Sequence, residues 1–397
     1  MIVLRADKSR FGPRAVAASV CGLLLLLILS GCATRAPSPD FHRAVRDLAE
    51  DGHYLREVPF YPVSDTEEHA AVLGMVIDYW HPPGFLARLR PRWRAHRVNM
   101  IQPDGALEAY LLERNLWGYW GAGHLDDLQE RLRAETPVLV TLQERPLDRT
   151  TLTLALVAGY DDPDERVVLY GLDDEPVQMS YDDFLRRWRY AYSRLVTVAP
   201  PERVRWTLSA PERVSRGRYY MALAQYDDAA TDFDAALEME PGEARHYVEL
   251  ADAFLLRDRY DKAEPLYRAA LALDDLDARA LNNLAYLLLH AGGDLREAEQ
   301  LARRATALEP DNPRLLDTLG MILHRMGDYR QAARILERAR TRAMQMDGET
   351  QATIALHLVQ VYHDDDLWHL ARQTLADALT HQPDVDVPEE LRIHLRD

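Results

Sequence analysis

Cys21 and Cys32 are the only thiols in the 397-residue chain, so any cysteine chemistry falls to one of them. Cys21 lies inside an apolar run from Ala15 to Leu29, and Cys32 closes the tetrapeptide Leu29-Ser30-Gly31-Cys32. Metal chemistry has little to draw on: His81, His96 and His124 lack a ligand spacing, and neither His-x-x-x-His nor Cys-x-x-Cys occurs. Asp161, Asp162, Asp164 and Glu165 lack the alternation of a calcium loop and read as a charged hairpin turn. Glu67 and Glu68 fall in the first turn of a predicted helix, where the N-terminal field favours carboxylates. His69 beside them points about 100° away around the helix, so no acid–base pair follows. Trp117, Tyr119 and Trp120, followed by Gly121 and Gly123, either line a cleft or pack in a core. Arg245, Arg279 and Arg314 recur at near-constant spacing, and guanidinium forks suit carboxylates.

These residues need elements to position them, and composition bounds what those elements can be. The length allows two domains, each with its own core. A formal net charge of -17 argues against nucleic acid as a partner, because phosphate neutralisation needs clustered Lys and Arg. Lys8 and Lys262 are the only lysines; every other basic residue apart from histidine is arginine. No cofactor motif is present, and none is expected to bind.

Arg5, Lys8, Arg10 and Arg14 precede the apolar run, which is short for a membrane span. Leu-Ser-Gly-Cys after such a run resembles the bacterial lipobox. The resemblance implies a signal peptide over 1–31, cleavage before Cys32 and a diacylglyceryl group on that cysteine, so the mature chain keeps no free thiol. Ala33 follows the cysteine in place of the aspartate that retains enteric-type lipoproteins at the inner membrane. The expected address is therefore the outer membrane, facing the periplasm, with the membrane held through the lipid. Residues 32–54 read as the lipidated cysteine and a tether with Pro37 and Pro39, containing a short amphipathic stretch from Phe41 to Leu48.

The C-terminal half is repetitive. Tyr226-Asp-Asp-Ala, Tyr260-Asp-Lys-Ala, Leu295-Arg-Glu-Ala, Tyr329-Arg-Gln-Ala and Trp368-His-Leu-Ala stand 34 to 39 residues apart. Large–small pairs follow at a fixed offset: Phe233/Ala236, Tyr267/Ala270, Leu336/Ala339 and Leu375/Ala378, with Ala302/Ala305 in the third unit. Pro241, Pro310 and Pro383 close three of the second helices. The pattern resembles the tetratricopeptide repeat, implying an all-α solenoid over 210–385. Its five units are 210–243, 244–277, 278–312, 313–346 and 352–385, with residues 386–397 as a possible capping helix. Such solenoids bind through the face built by the first helix of each repeat. Arg245, Arg279 and Arg314 hold the same position in three units, and Asn282, Asn283, Tyr286 and His324 lie near them. In peptide-binding members of the family, basic residues and an asparagine here hold a ligand's carboxylates and backbone, which makes envelope proteins or peptides the expected partners.

Residues 55–200 mix helix and strand patterns. Ser64-Asp-Thr-Glu67 caps a helix running to about Trp80. Later come a helix over Leu125–Ala134, strands over Pro137–Leu142, Leu152–Tyr160, Arg166–Gly171 and Pro176–Ser180, a helix over Tyr181–Arg189, and a strand over Ser193–Val198. Val58-Pro-Phe-Tyr-Pro62, Leu125-Asp-Asp-Leu128 before Pro137-Val-Leu-Val140, and Val157-Ala-Gly-Tyr-Asp161 resemble the C39-like cysteine peptidases, in particular a lipoprotein subgroup with tetratricopeptide repeats after the peptidase domain. The implied fold class is an α+β papain-like domain followed by the solenoid.

The resemblance fails where catalysis would reside. Glu68 to Ala71 occupy the place of the family's Cys-Gly-Pro-Ala turn, Thr153 that of the general-base histidine, and Pro62 and Val63 that of the oxyanion-hole glutamine. Only an acid, Asp173 or Asp174, matches the third member. Without thiolate and imidazole there is no activated nucleophile. The sequence thus points to a pseudopeptidase serving as an adaptor; the alternative is a hydrolase using a carboxylate or threonine site in the same cleft.

Overall fold

The computed structural model describes residues 52–61, 68–81, 105–145, 148–381 and 387. Cys32, the Phe41–Leu48 stretch, the Ser64 cap, His96 and the C-terminal capping segment lie outside them. The described chain divides into two compact units at Tyr219/Tyr220.

The N-terminal unit contains β1 (His53–Tyr54), α1 (Glu68–Trp80), α2 (Gly105–Leu112), β2 (Trp117–Ala122) and α3 (Leu125–Arg133). It continues with β3 (Val138–Arg145), β4 (Asp148–Asp161), β5 (Arg166–Tyr170), β6 (Val177–Ser180), α4 (Tyr181–Tyr190) and β7 (Arg194–Ala199). All strand pairs are antiparallel, in the order β2-β7-β3-β4-β5-β6, and β1 pairs with β4. Leu154 to Ala158 of β4 are all buried, so this central strand reads as a continuous apolar run and not as an alternation. Gly159 closes that run because β1 crosses it closely: a Cβ there would stand 2.7 Å from the His53 carbonyl oxygen. Helix α1 packs on β4 and β7, burying Val72, Leu73, Met75, Val76 and Ile77 in the main core.

Most predicted elements fall within two residues of their bounds; β3, which runs on to Arg145, and β4, which starts at Asp148, are the exceptions, and helix α2 was not predicted. Strand β2 was not predicted. Its Trp117 is buried and stacks on Trp206, with centroids 6.4 Å apart, while Nε1 donates to Ser215 Oγ at 3.1 Å. Of the two readings of the aromatic cluster, Trp117 follows the core one.

The next helix, α5 (Ala210–Ala222), opens the first repeat in sequence, but as far as Tyr219 it belongs to the N-terminal unit. The tie is a buried ion pair. Glu212 accepts from Arg131 Nη2 of α3, from Ser209 Oγ at 2.7 Å and from the Ser209 N–H at 3.0 Å. Arg131 also donates through Nε to Thr197 Oγ1 at 3.2 Å and through Nη1 to the Asp127 carbonyl at 2.6 Å. Both charges are thus surrounded by partners, as burial demands.

The repeat unit is all helical: α6 (Tyr226–Met239), α7 (Ala244–Leu255), α8 (Tyr260–Leu273), α9 (Ala278–Ala291), α10 (Leu295–Leu308), α11 (Pro313–Arg325), α12 (Tyr329–Arg342), α13 (Gly348–Asp364) and α14 (Trp368–His381). Each helix from α6 to α13 packs on the one that follows, and the even-numbered, second helices bury the predicted small and large residues apart from Leu375, which is half-buried. Helix α13 starts at Gly348, ahead of the sequence-predicted 352. Asp347 caps it by accepting from the Thr350 N–H at 2.8 Å, so the expected spacer is its first turn.

Candidate functional site

The first helices of successive repeats, α7, α9, α11 and α13, touch one another and build one face of the repeat unit. Helical spacing brings Glu249 and Asp252 of α7, Arg279 and Asn283 of α9, Asp317 of α11 and His357 of α13 to their junctions.

Asp252 is 2% exposed and collects three donors. Tyr267 Oη and Asn283 Nδ2, the latter at 2.7 Å, donate to Oδ1, and Arg279 Nη2 donates to Oδ2. Arg279 also donates to Glu249 at 3.2 and 3.4 Å. Burial pushes the Asp252 carboxyl above its usual range, against the opposing pull of Arg279 and the hydrogen bonds of Tyr267 and Asn283. Burial likewise pushes the Tyr267 hydroxyl up, and the Asp252 charge adds to it.

A second junction repeats the theme. His357 Nδ1 lies 2.8 Å from Asp317 Oδ1, and Asp317 is 1% exposed. Burial works against the imidazolium, but the charge and hydrogen bond of Asp317 together outweigh it and raise the His357 pKa. Nearby, His290 stacks on Tyr286 with ring centroids 4.1 Å apart. Its pKa is lowered by burial first, then by Arg325 and His357, with Asp258 opposing.

The three arginines that the sequence places at one repeat position have different surroundings. Arg279 is committed to two acids of the preceding repeat, and Arg245 pairs with Glu243 at 3.6 Å on an exposed edge. Asn282 and Asn283 are buried, the first donating to the second at 3.3 Å. His324 Nε2 lies 2.8 Å from Asp364 Oδ2. Tyr286 and Arg314 are half-buried and contribute surface. Glu249, Asp252, Asp317 and His357 were missed. The signal for the first two was present, since an acid one turn after another on α7 meets an arginine in the next repeat.

In the N-terminal unit, Glu68 opens α1, and Thr153 sits buried in β4 opposite Leu142. Asp173 is exposed beyond β5 and accepts from the Asp174 N–H at 2.7 Å. The Leu156–Tyr170 pairing, carried on in register, runs Thr153 and Asp173 past the same end of the sheet. Helix α1 meets that end through Val72, which a Cβ on Gly171 would approach to 2.3 Å. Asp162 of the acidic turn accepts from Tyr181 Oη at 2.6 Å and Gln129 Nε2 at 2.7 Å.

Comparison with known proteins identifies the helical part. One tetratricopeptide-repeat family model matches residues 214–278 and 257–313, and a second matches 289–343. None of the curated proteins matches the chain. Among solved structures, the chain is similar to the APC/C hetero-tetramer Cut9-Hcn1 at 18% identity, over 47% of this chain and 35% of that one, with a TM-score of 0.43. It is similar to pilF of Pseudomonas aeruginosa at 25% identity, over 43% and 76% of the two chains, with a TM-score of 0.38. For a thermophilic tetratricopeptide protein of Thermus thermophilus, TTC0263, the identity is 21% over 47% and 97%, with a TM-score of 0.39. The C-terminal part is therefore a tetratricopeptide solenoid, a protein–protein interaction architecture, while the N-terminal part is an α+β unit on an antiparallel sheet.

Proposed function

We propose that this chain is a lipid-anchored adaptor of the bacterial cell envelope, held at the outer membrane through Cys32 and capturing envelope proteins or peptides on the face built by α7, α9, α11 and α13. The observation that carries this reading is the run of repeats matched over residues 214–343, an architecture whose first-helix face is built for partners. On that face the internally paired acids and Arg279 supply rigidity. Tyr286, His290, Arg314 and Arg325 supply the contact surface.

The N-terminal unit, in this reading, is a C39-like pseudopeptidase. Its support is the absence of cysteine and histidine at Glu68 and Thr153, together with a signal-like segment that commits Cys32 to acylation. A carboxylate and a hydroxyl on a sheet end do not make the thiolate–imidazole unit that such chemistry requires.

The test is affinity capture from detergent-solubilised envelope membranes with the tagged full chain. Tyr286→Ala combined with Arg314→Glu should lose the captured proteins while the far-ultraviolet circular dichroism is unchanged. Cys32→Ser should move the protein from the membrane to the soluble fraction and abolish labelling by an alkyne fatty acid. An unchanged captured set refutes the assigned face, and labelling that persists in Cys32→Ser refutes the anchor.

A further inference from the structure

The N-terminal unit contains a pocket of about 360 Å³ at the C-terminal end of α1. It is not the vacated peptidase cleft, since Glu68 lies at the opposite end of that helix, about 18 Å away at 1.5 Å per residue. Its walls include the rings of Tyr79 and Trp80, set edge to face with centroids 4.8 Å apart. Their polar atoms are spent on the backbone: Tyr79 Oη donates to the Glu135 carbonyl at 2.9 Å and Trp80 Nε1 to the Val198 carbonyl at 2.8 Å. Ring surface is what these two side chains have left to offer.

Asn115 is held in the left-handed region at φ 56° and accepts from Tyr219 Oη at 2.8 Å through Oδ1. Its Nδ2 is left as a donor. His81, Arg114, Glu57, Glu202 and Arg203 complete the polar lining. Arg114 is engaged with the Tyr110 carbonyl and Glu113, and His81 Nε2 lies 3.1 Å from the Arg114 carbonyl, whereas among the described residues none of Glu57, Glu202 and Arg203 is in an ion pair. Glu57 and Arg203 both lie close enough to act on Tyr79: its hydroxyl is pushed up to about 12 by burial first, then by the Glu135 and Glu57 charges, with Arg203 opposing. The pocket thus offers two carboxylates, the Arg203 guanidinium beside the already paired Arg114, one amide donor and an aromatic wall.

We propose that this pocket binds a small zwitterion, a ligand with a primary ammonium and a carboxylate, of one or two amino-acid residues. The ammonium donates to Glu57 and Glu202 and lies against the aromatic faces. The carboxylate accepts from the Arg203 fork and Asn115 Nδ2. A volume near the lower end of small-ligand sites, about 300–1,000 Å³, sets the size. The proposal is independent of the repeat face, and a free amino acid and a dipeptide share the chemistry.

Isothermal titration of the full chain with L-phenylalanine and with the dipeptide Ala-Phe, each also N-acetylated and C-amidated, tests it. At least one parent compound should bind, and blocking either end should weaken binding by about tenfold or more, as expected for losing a charge-assisted contact. Arg203→Gln should erase the discrimination against the amide, and Glu57→Gln with Glu202→Gln the discrimination against the acetyl form. Binding by one parent only assigns the source. The substituted residues are exposed, so near-ultraviolet circular dichroism should be unchanged. Failure of both parents to bind, equal binding of the blocked forms, or amide discrimination that survives Arg203→Gln overturns the proposal.

Discussion

Arg279→Ala separates a structural arginine from a ligand-binding one. In the folded chain its guanidinium bridges Glu249 and Asp252, whose side chains are only 4% and 3% exposed, while its own side chain is 38% exposed. Removing one partner of a fully buried ion pair costs about 3–5 kcal/mol. Here water reaches the arginine, and Asp252 keeps its bonds from Tyr267 and Asn283, so solvent screening reduces the expected loss to about 2–3 kcal/mol. The loss also depends on pH, with a sign that follows from linkage. Burial already raises the folded-state pKa of Asp252, so its contribution is present at low pH and is lost as pH rises through that pKa. Deleting Arg279 removes an interaction that favours the carboxylate, so the folded pKa climbs further and protonation relieves the unpaired charge. Urea unfolding followed by circular dichroism should therefore show a larger difference between wild type and variant at about pH 7.5 than at about pH 5. A loss below about 1 kcal/mol at neutral pH, the range of exposed pairs, would refute this reasoning. The arginine would then be available to grip a ligand.

Two further outcomes follow. Arg131→Ala leaves Glu212 buried without its cation and should cost about 3–5 kcal/mol; it is read by tryptophan fluorescence, since every tryptophan except Trp368 precedes Tyr220. An equal cost for Arg131→Lys would point to the fork geometry, and no cost for either would exclude the pair as a clamp on α5. His357, whose folded pKa lies above its unfolded one, stabilises the chain fully below about pH 6.5 and loses that contribution as pH rises through the folded pKa. His357→Gln should flatten that slope in the melting temperature between about pH 5 and pH 8, and an unaltered slope would assign it to other groups.

The repeat unit was legible in the sequence because its signal is local and recurrent. Ala263, Tyr267 and Ala270 must be small, large and small wherever two helices cross, whatever the rest of the molecule does. The central strands were legible for a similar reason, since burial on both faces leaves an unbroken apolar run such as Leu154–Ala158. Strand β2 was not, because Trp117-Gly-Tyr-Trp-Gly-Ala has no apolar alternation of its own. It becomes a strand by pairing with β7, nearly eighty residues later in the chain.

What the sequence determined by itself was therefore the repeat period and the order of the repeat helices and central strands, all properties of neighbours along the chain. Which charges are free and which are spent was decided by tertiary structure. Arg245, Arg279 and Arg314 look equivalent at their spacing, yet only Arg279 meets Glu249 and Asp252 across a helix junction. A charge's partners come from whatever the fold brings within hydrogen-bond distance, and the favourable terms of such a pair exist only once both are withdrawn from water together.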